Sequence, residues 1–212
     1  MLIISFFRKE FVLKILESFK QCMLKESKAI SDVAQELGQE IEEAIVLMMN
    51  CQGKVVISGV GKSGIVGKKI AATLASTGTP AFFMHSTEGL HGDLGMIEEE
   101  DLVILISNSG TTKEVLDLIP SLQIIGCKLI AITGDSNSIL ANKCDVVISY
   151  GKRGEADHLG LAPTISSTIV LVIGDALAVT LSQIKGFTKE DFGLFHPGGA
   201  LGKLLLEKGE VK

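Results

Sequence analysis

At 212 residues the chain is long enough for one α/β domain with a substantial core, or for two small ones. Hydrophobic residues make up 46% of it but aromatic residues only 5%, with no Trp, so packing must rest on Ile, Leu, Val and Ala, the palette of a buried parallel sheet flanked by helices. A formal net charge of -5 without a basic block argues against nucleic acid or an anionic membrane surface as partner, and leaves room for a small anion held by local donors.

The opening "MLIISFFRKEF" is apolar, but its charges follow the apolar run and no small-residue cleavage site appears, so a secretory signal is not expected. From Leu24 to Met49 apolar residues fall at Ile30, Val33, Leu37, Ile41, Ala44, Ile45 and Met48, spaced by three and four. That spacing predicts one amphipathic helix of about seven turns, ended by Gly53. Short apolar runs then recur at 54–58, 81–85, 102–107, 128–133 and 145–149, each rich in β-branched residues, apolar on both faces and too short for a globular helix. Five βα units predict an α/β fold with a doubly wound, five-stranded parallel sheet in the flavodoxin-like order 2-1-3-4-5. The stretch "TISSTIVLVIGDALAVTL" at 164–181 carries Asp175 and four hydroxyls in its first half, which fits a buried helix from about Gly160 to Leu181 better than a membrane span. No linker or repeat is visible, so the expectation is a single domain over 1–212, with N-terminal helices to residue 50, a βα core over 51–186 and a C-terminal tail over 187–212. Cys22, Cys51, Cys127 and Cys144 are scattered and read as small buried hydrophobes in a reducing cytosol rather than as a disulfide frame or zinc site.

Ligands of doubly wound sheets sit at the carboxyl ends of the strands, and every polar motif of this chain falls there. After the first strand, "GVGKSG" overlays two nucleotide motifs and satisfies neither. A triphosphate loop needs glycine where Val56 stands, and a dinucleotide site needs an acidic residue at the end of the second strand, where the chain reads "TPAFFMHST". What remains is a glycine turn, with Gly61, Lys62 and Ser63, whose backbone donors at a helix start attract an anion. After the third strand, "SNSGTTKE" sets Ser107, Asn108, Ser109, Thr111 and Thr112 around Gly110. A helix cap needs one hydroxyl and this stretch has four, the composition of a phosphate cradle that uses neither lysine nor metal. Thr164, Ser166, Ser167 and Thr168 form a further hydroxyl cluster at the start of the last long helix, either bonding back to carbonyls or facing a ligand.

"SNSGTT" resembles the phosphate-binding motif of the sugar isomerase domain, a family of phosphosugar isomerases and phosphosugar-binding regulators. "GVGKSG", "ASTGTPAFFMHSTEGLHGDLGM", "LGLAPTISST", "GDALAV" and "HPGGALGK" resemble more narrowly the D-arabinose 5-phosphate isomerases, from about Gly53 to Lys203. The resemblance implies cofactor-free, metal-free, cytoplasmic interconversion of D-ribulose 5-phosphate and D-arabinose 5-phosphate, feeding Kdo for lipopolysaccharide or capsule synthesis. By similarity to the family, Lys62, Glu114, Glu155 and His196 occupy functional positions, with His91 close by. Such a reaction needs a base, an oxyanion stabiliser and help with ring opening. Glu155 is the expected base, with a pKa raised by desolvation; Lys62 is expected beside the oxyanion or the phosphate, and Glu114 is expected to orient Lys62 or relay protons. His196 is either structural in its own subunit or, as similar proteins suggest, reaches into a neighbour's site; the long amphipathic N-terminal helix and the His196 tail both suit subunit packing, so a homo-oligomer, dimer or tetramer, is expected. Two departures stand out: related isomerases commonly continue into a pair of CBS modules that this chain does not reach, and Asp157-His158 replaces the usual Cys-Pro near Glu155. The alternatives are an isomerase for another phosphosugar, such as a 3-hexulose 6-phosphate, and a non-catalytic phosphosugar sensor.

Overall fold

The computed structural model describes residues 2–208. Two helices, α1 (Leu2–Glu36) and α2 (Gln39–Asn50), stand where the periodicity predicts one helix over 24–49. The apolar spacing runs unbroken through Val33, Leu37 and Ile41, yet the chain leaves the helix at Leu37-Gly38, where Gly38 has φ -138 and ψ -129. The Glu40 carboxylate accepts from the Gly38 N–H at 2.9 Å, so an acidic side chain caps the restart locally.

The strands are β1 (Val55–Gly59), β2 (Ala81–His85), β3 (Leu102–Ile106), β4 (Lys128–Thr133) and β5 (Val146–Ser149). All pair in parallel, in the predicted order β2-β1-β3-β4-β5. Every residue of β1 and β3 is buried, as both faces of a central strand must be when helices cover them. Alternate residues feed different cores because successive side chains point to opposite faces. Ile57, Ile104, Ile106, Ile130 and Ile132 pack in a cluster with residues of α1, α2, α3 (Gly61–Ser76) and α7 (Ile165–Ile184). Val56, Val103, Leu105, Leu129 and Ala131 pack with Val115 of α5 (Lys113–Leu116) and Ile119 and Leu122 of α6 (Ile119–Ile125). The remaining α-helices among the described residues are α4 (Ser86–Gly89), α8 (Lys189–Phe195) and α9 (Ala200–Lys208).

The predicted buried helix is α7, which packs against α1 and α3 and buries Ile169, Val170, Ile173, Leu177, Ala178 and Leu181. Its length and composition would suffice for a membrane span, but these residues serve the sheet's core instead. It begins at Ile165, five residues later than predicted, because the Asp157 carboxylate accepts from the N–H groups of Leu159, Leu161 and Ala162 and holds 157–162 as a loop.

Candidate functional site

At the carboxyl edge of the sheet, over the β1/β3 switch point, lies a cleft of about 220 Å³. Lys62 and Ser63 from the first turn of α3, Asn108 from the end of β3, Tyr150 from the end of β5, and Ser166 and Ser167 from the start of α7 line it. Backbone geometry brings α3 so close: Gly61 sits at φ +57, and a β-carbon at Gly64 would come within 2.9 Å of the Gly59 carbonyl oxygen. The exposed Lys62 side chain stands beside the free N–H groups of that helix start.

The "SNSGTT" loop spends part of its hydroxyls on its own shape. Ser107 is buried; its Oγ accepts the Gly110 N–H at 3.0 Å and lies 2.7 Å from Thr112 Oγ1. Gly110 has φ +63, and a β-carbon there would overlap Ser138 as well, so only glycine completes the turn. Ser109 Oγ accepts from both the N–H (3.2 Å) and the hydroxyl (2.9 Å) of Thr111, so its own proton remains for a ligand at this exposed rim. Of the four hydroxyls read as a cradle, Ser107 and Thr112 build the loop, while Ser109 and Thr111 face outward.

Glu155 is held by the start of α7. Its Oε2 accepts from the Thr164 N–H (2.8 Å), the Thr164 hydroxyl (3.0 Å) and the Ser166 N–H (3.2 Å), and Oε1 accepts the Ser166 hydroxyl. Burial alone would raise the pKa of this carboxyl, but those bonds to Ser166 and Thr164 outweigh it and hold the group below its ordinary value of 4.5. The raised pKa expected for a desolvated base is therefore replaced by a lowered one, because the half-buried side chain is capped rather than stranded. Oε2 carries three donors and Oε1 only one, so the uncommitted lone pair belongs to Oε1. Of the remaining hydroxyls, Ser167 bonds back to the Pro163 and Thr164 carbonyls, and Thr168 donates to Glu26 of α1 at 2.6 Å. None of these four hydroxyls is spare.

Of the predicted residues only Lys62, Ser63 and Asn108 line the cleft; Glu155 stands behind Ser166, and Gly61, Ser107, Ser109, Thr111, Thr112, His91, Glu114 and His196 also lie outside its lining. His91 is exposed on the loop after α4, and Glu114 is exposed at the start of α5 with no hydrogen bond or ion pair to Lys62 among the described residues. The sequence reading expects Glu114 to orient Lys62 or relay protons; within this chain it stands exposed in the four-residue α5 and does not touch Lys62. His196 is half-buried at the end of α8, stacked on Phe192 with ring centroids 3.9 Å apart. Its Nδ1 lies 2.8 Å from the Phe192 carbonyl, so Nδ1 must donate and Nε2 keeps the free lone pair. The cysteines are poor nucleophiles, since burial pushes the thiols of Cys127 and Cys144 up to about 11 and about 12. Motif reading missed Tyr150; the one signal for it was a lone tyrosine immediately after a predicted strand.

The SIS domain family model matches residues 48–180, which span the sheet and most of α7. Arabinose 5-phosphate isomerase KpsF of Escherichia coli O6:H1 is 47% identical over 195 residues, 92% of this chain and 60% of that protein. Arabinose 5-phosphate isomerase KdsD of Pseudomonas aeruginosa is 47% identical over 198 residues, 93% of this chain and 61% of that protein. The chain therefore spans about three fifths of the length of these curated relatives. Among solved structures, E. coli CFT073 c3406 in complex with arabinose 5-phosphate superposes with a TM-score of 0.85 at 51% identity, covering 87% of this chain and 98% of that one. With the family model, the parallel sheet and the switch-point cleft in agreement, the chain belongs to the SIS domain family.

Proposed function

We propose that the protein is a D-arabinose 5-phosphate isomerase, moving a proton between C1 and C2 through a cis-enediolate. The observation that carries this reading is the likeness to c3406, a structure with arabinose 5-phosphate bound that is matched over nearly its whole length. The cleft and the loops around it supply groups suited to that chemistry. Lys62 beside a helix start offers positive charge to the enediolate oxygen or the phosphate, and the outward hydroxyls of Ser109 and Thr111 extend the anion site. Glu155 is ionised at neutral pH, with the spare lone pair on Oε1 to take the C2 proton. Glu114 acts as a proton relay, while His91 and His196 assist ring opening, with His196 contributed across a subunit boundary. The active form is a cytoplasmic homo-oligomer, and its product feeds Kdo-containing lipopolysaccharide or capsule.

Incubation with arabinose 5-phosphate in D₂O, followed by a coupled assay across five- and six-carbon phosphosugars, tests the proposal. The expected result is deuterium at C2 and ribulose 5-phosphate as product. Turnover only of six-carbon sugars, or binding without any exchange, would overturn it.

A further inference from the structure

Tyr150 is the only tyrosine of the chain and is 1% exposed although it lines the cleft. Its backbone N–H donates to the Thr133 carbonyl at 3.1 Å, which pins it across the carboxyl edge of the sheet. Its hydroxyl lies 2.8 Å from Asn108 Oδ1, a residue at the end of β3, so the bond spans the end of β4, which lies between β3 and β5. Gly134, directly after β4, makes the span possible. A β-carbon there would come within 2.8 Å of Asn108 Oδ1 and 3.4 Å of the Tyr150 ring. The Gly134 N–H in turn donates to the Asn108 carbonyl at 3.0 Å, fixing the asparagine backbone. Three adjacent strand ends thus cooperate in placing one amide.

An amide can turn either end to a phenol, and the chemistry here selects one. Burial, with the negative charge of Glu155 adding to it, pushes the phenol pKa far above its ordinary value of 10, so the proton stays on oxygen. That buried proton needs an acceptor, and among the described residues Asn108 Oδ1 is the one within hydrogen-bond distance. Turning Nδ2 towards the phenol would leave the proton unpaired, a costly arrangement in a buried site. Nδ2 therefore points away from Tyr150, and Asn108 is exposed on the cleft wall shared with Lys62.

We propose that Tyr150 is a positioning residue that locks the Asn108 amide with Nδ2 facing the cleft, where it donates to a sugar oxygen of the bound phosphosugar. The inference rests on the phosphosugar-isomerase reading above. A donor that serves bound sugar and transition state alike appears in KM, not in kcat. Tyr150→Phe keeps the ring and frees the amide to turn, so KM for arabinose 5-phosphate should rise about tenfold with kcat within about twofold of wild type. Asn108→Ala should raise KM similarly, and Tyr150→Phe should add nothing in that background, because both changes remove one donor. An equal KM rise in both backgrounds, or no rise at all, would overturn the proposal. Wild-type protein that turns over no phosphosugar overturns the parent reading instead. In that event the ligand-free protein decides: a strong nuclear Overhauser effect between the Asn108 side-chain amide protons and the Tyr150 ring would overturn the locked orientation, and its absence supports it.

Discussion

Glu155 shows how one residue can be both a structural cap and a chemical group. Four hydrogen bonds from Thr164 and Ser166 close the N-terminal turn of α7 onto its carboxylate, which compensates exposed N–H groups and offsets the helix dipole. The folded-state pKa lies below the ordinary 4.5, so the stabilisation is fully present above that value and is lost as pH falls through the folded value. Glu155→Gln should cost about 1 kcal/mol of stability at pH 7, the order of a lost cap. Denaturant melts of both proteins should converge as the pH is lowered below 4.5; a gap that persists unchanged into strong acid would show that the carboxylate's charge is not what the cap uses. At this scale the sequence was partly legible. Lys62, Ser63 and Asn108 line the cleft because local motifs place them at strand ends, whereas the capping of Glu155 by Thr164 and Ser166, and the Tyr150–Asn108 bond, depend on which loops the tertiary fold brings together.

Element types and strand order were legible because buried parallel strands carry a strong signal: short, doubly apolar runs with glycine-rich turns behind them. The break between α1 and α2 was hidden because hydrophobic periodicity reports the face a residue presents, and Val33, Leu37 and Ile41 keep to one face across it. Glycines inside helices carry a second kind of message. In α7, a β-carbon at Gly174 would overlap Ile70 of α3, a residue 1% exposed, so the two helices pack as closely as backbone allows. Gly174→Ala gains helix propensity yet overpacks this contact, and the core has little room to yield. The expected outcome is a net loss of about 1–3 kcal/mol in thermal or denaturant unfolding, partly restored by Ile70→Val. A stabilised Gly174→Ala protein would show that propensity outweighs the contact and that α3 can move.

At the scale of the whole molecule, α1 is the element left most uncovered. Thirty-five residues at a 1.5 Å rise make a helix about 52 Å long. Val12, Leu16, Phe19 and Met23 leave an exposed apolar stripe at intervals of three and four across its middle, with Val12 60%, Phe19 64% and Met23 61% exposed. Under the homo-oligomer reading, the occupant proposed for this stripe is a second copy of the chain. In its own subunit His196 stacks on Phe192 and has no Nε2 partner among the described residues, and it does not line the cleft formed by the same chain. Light scattering should give a multiple of the monomer mass, and Leu16→Glu with Phe19→Glu should lower it. Subunit mixing then separates shared from private sites. Co-expressed Glu155→Gln and His196→Ala chains, each inactive alone, should recover substantial turnover, because a hybrid site can take Glu155 from one chain and His196 from the other. If the mixture stays inactive while hybrid oligomers form, both residues serve a site within one chain, and the stripe on α1 holds subunits together without completing the chemistry.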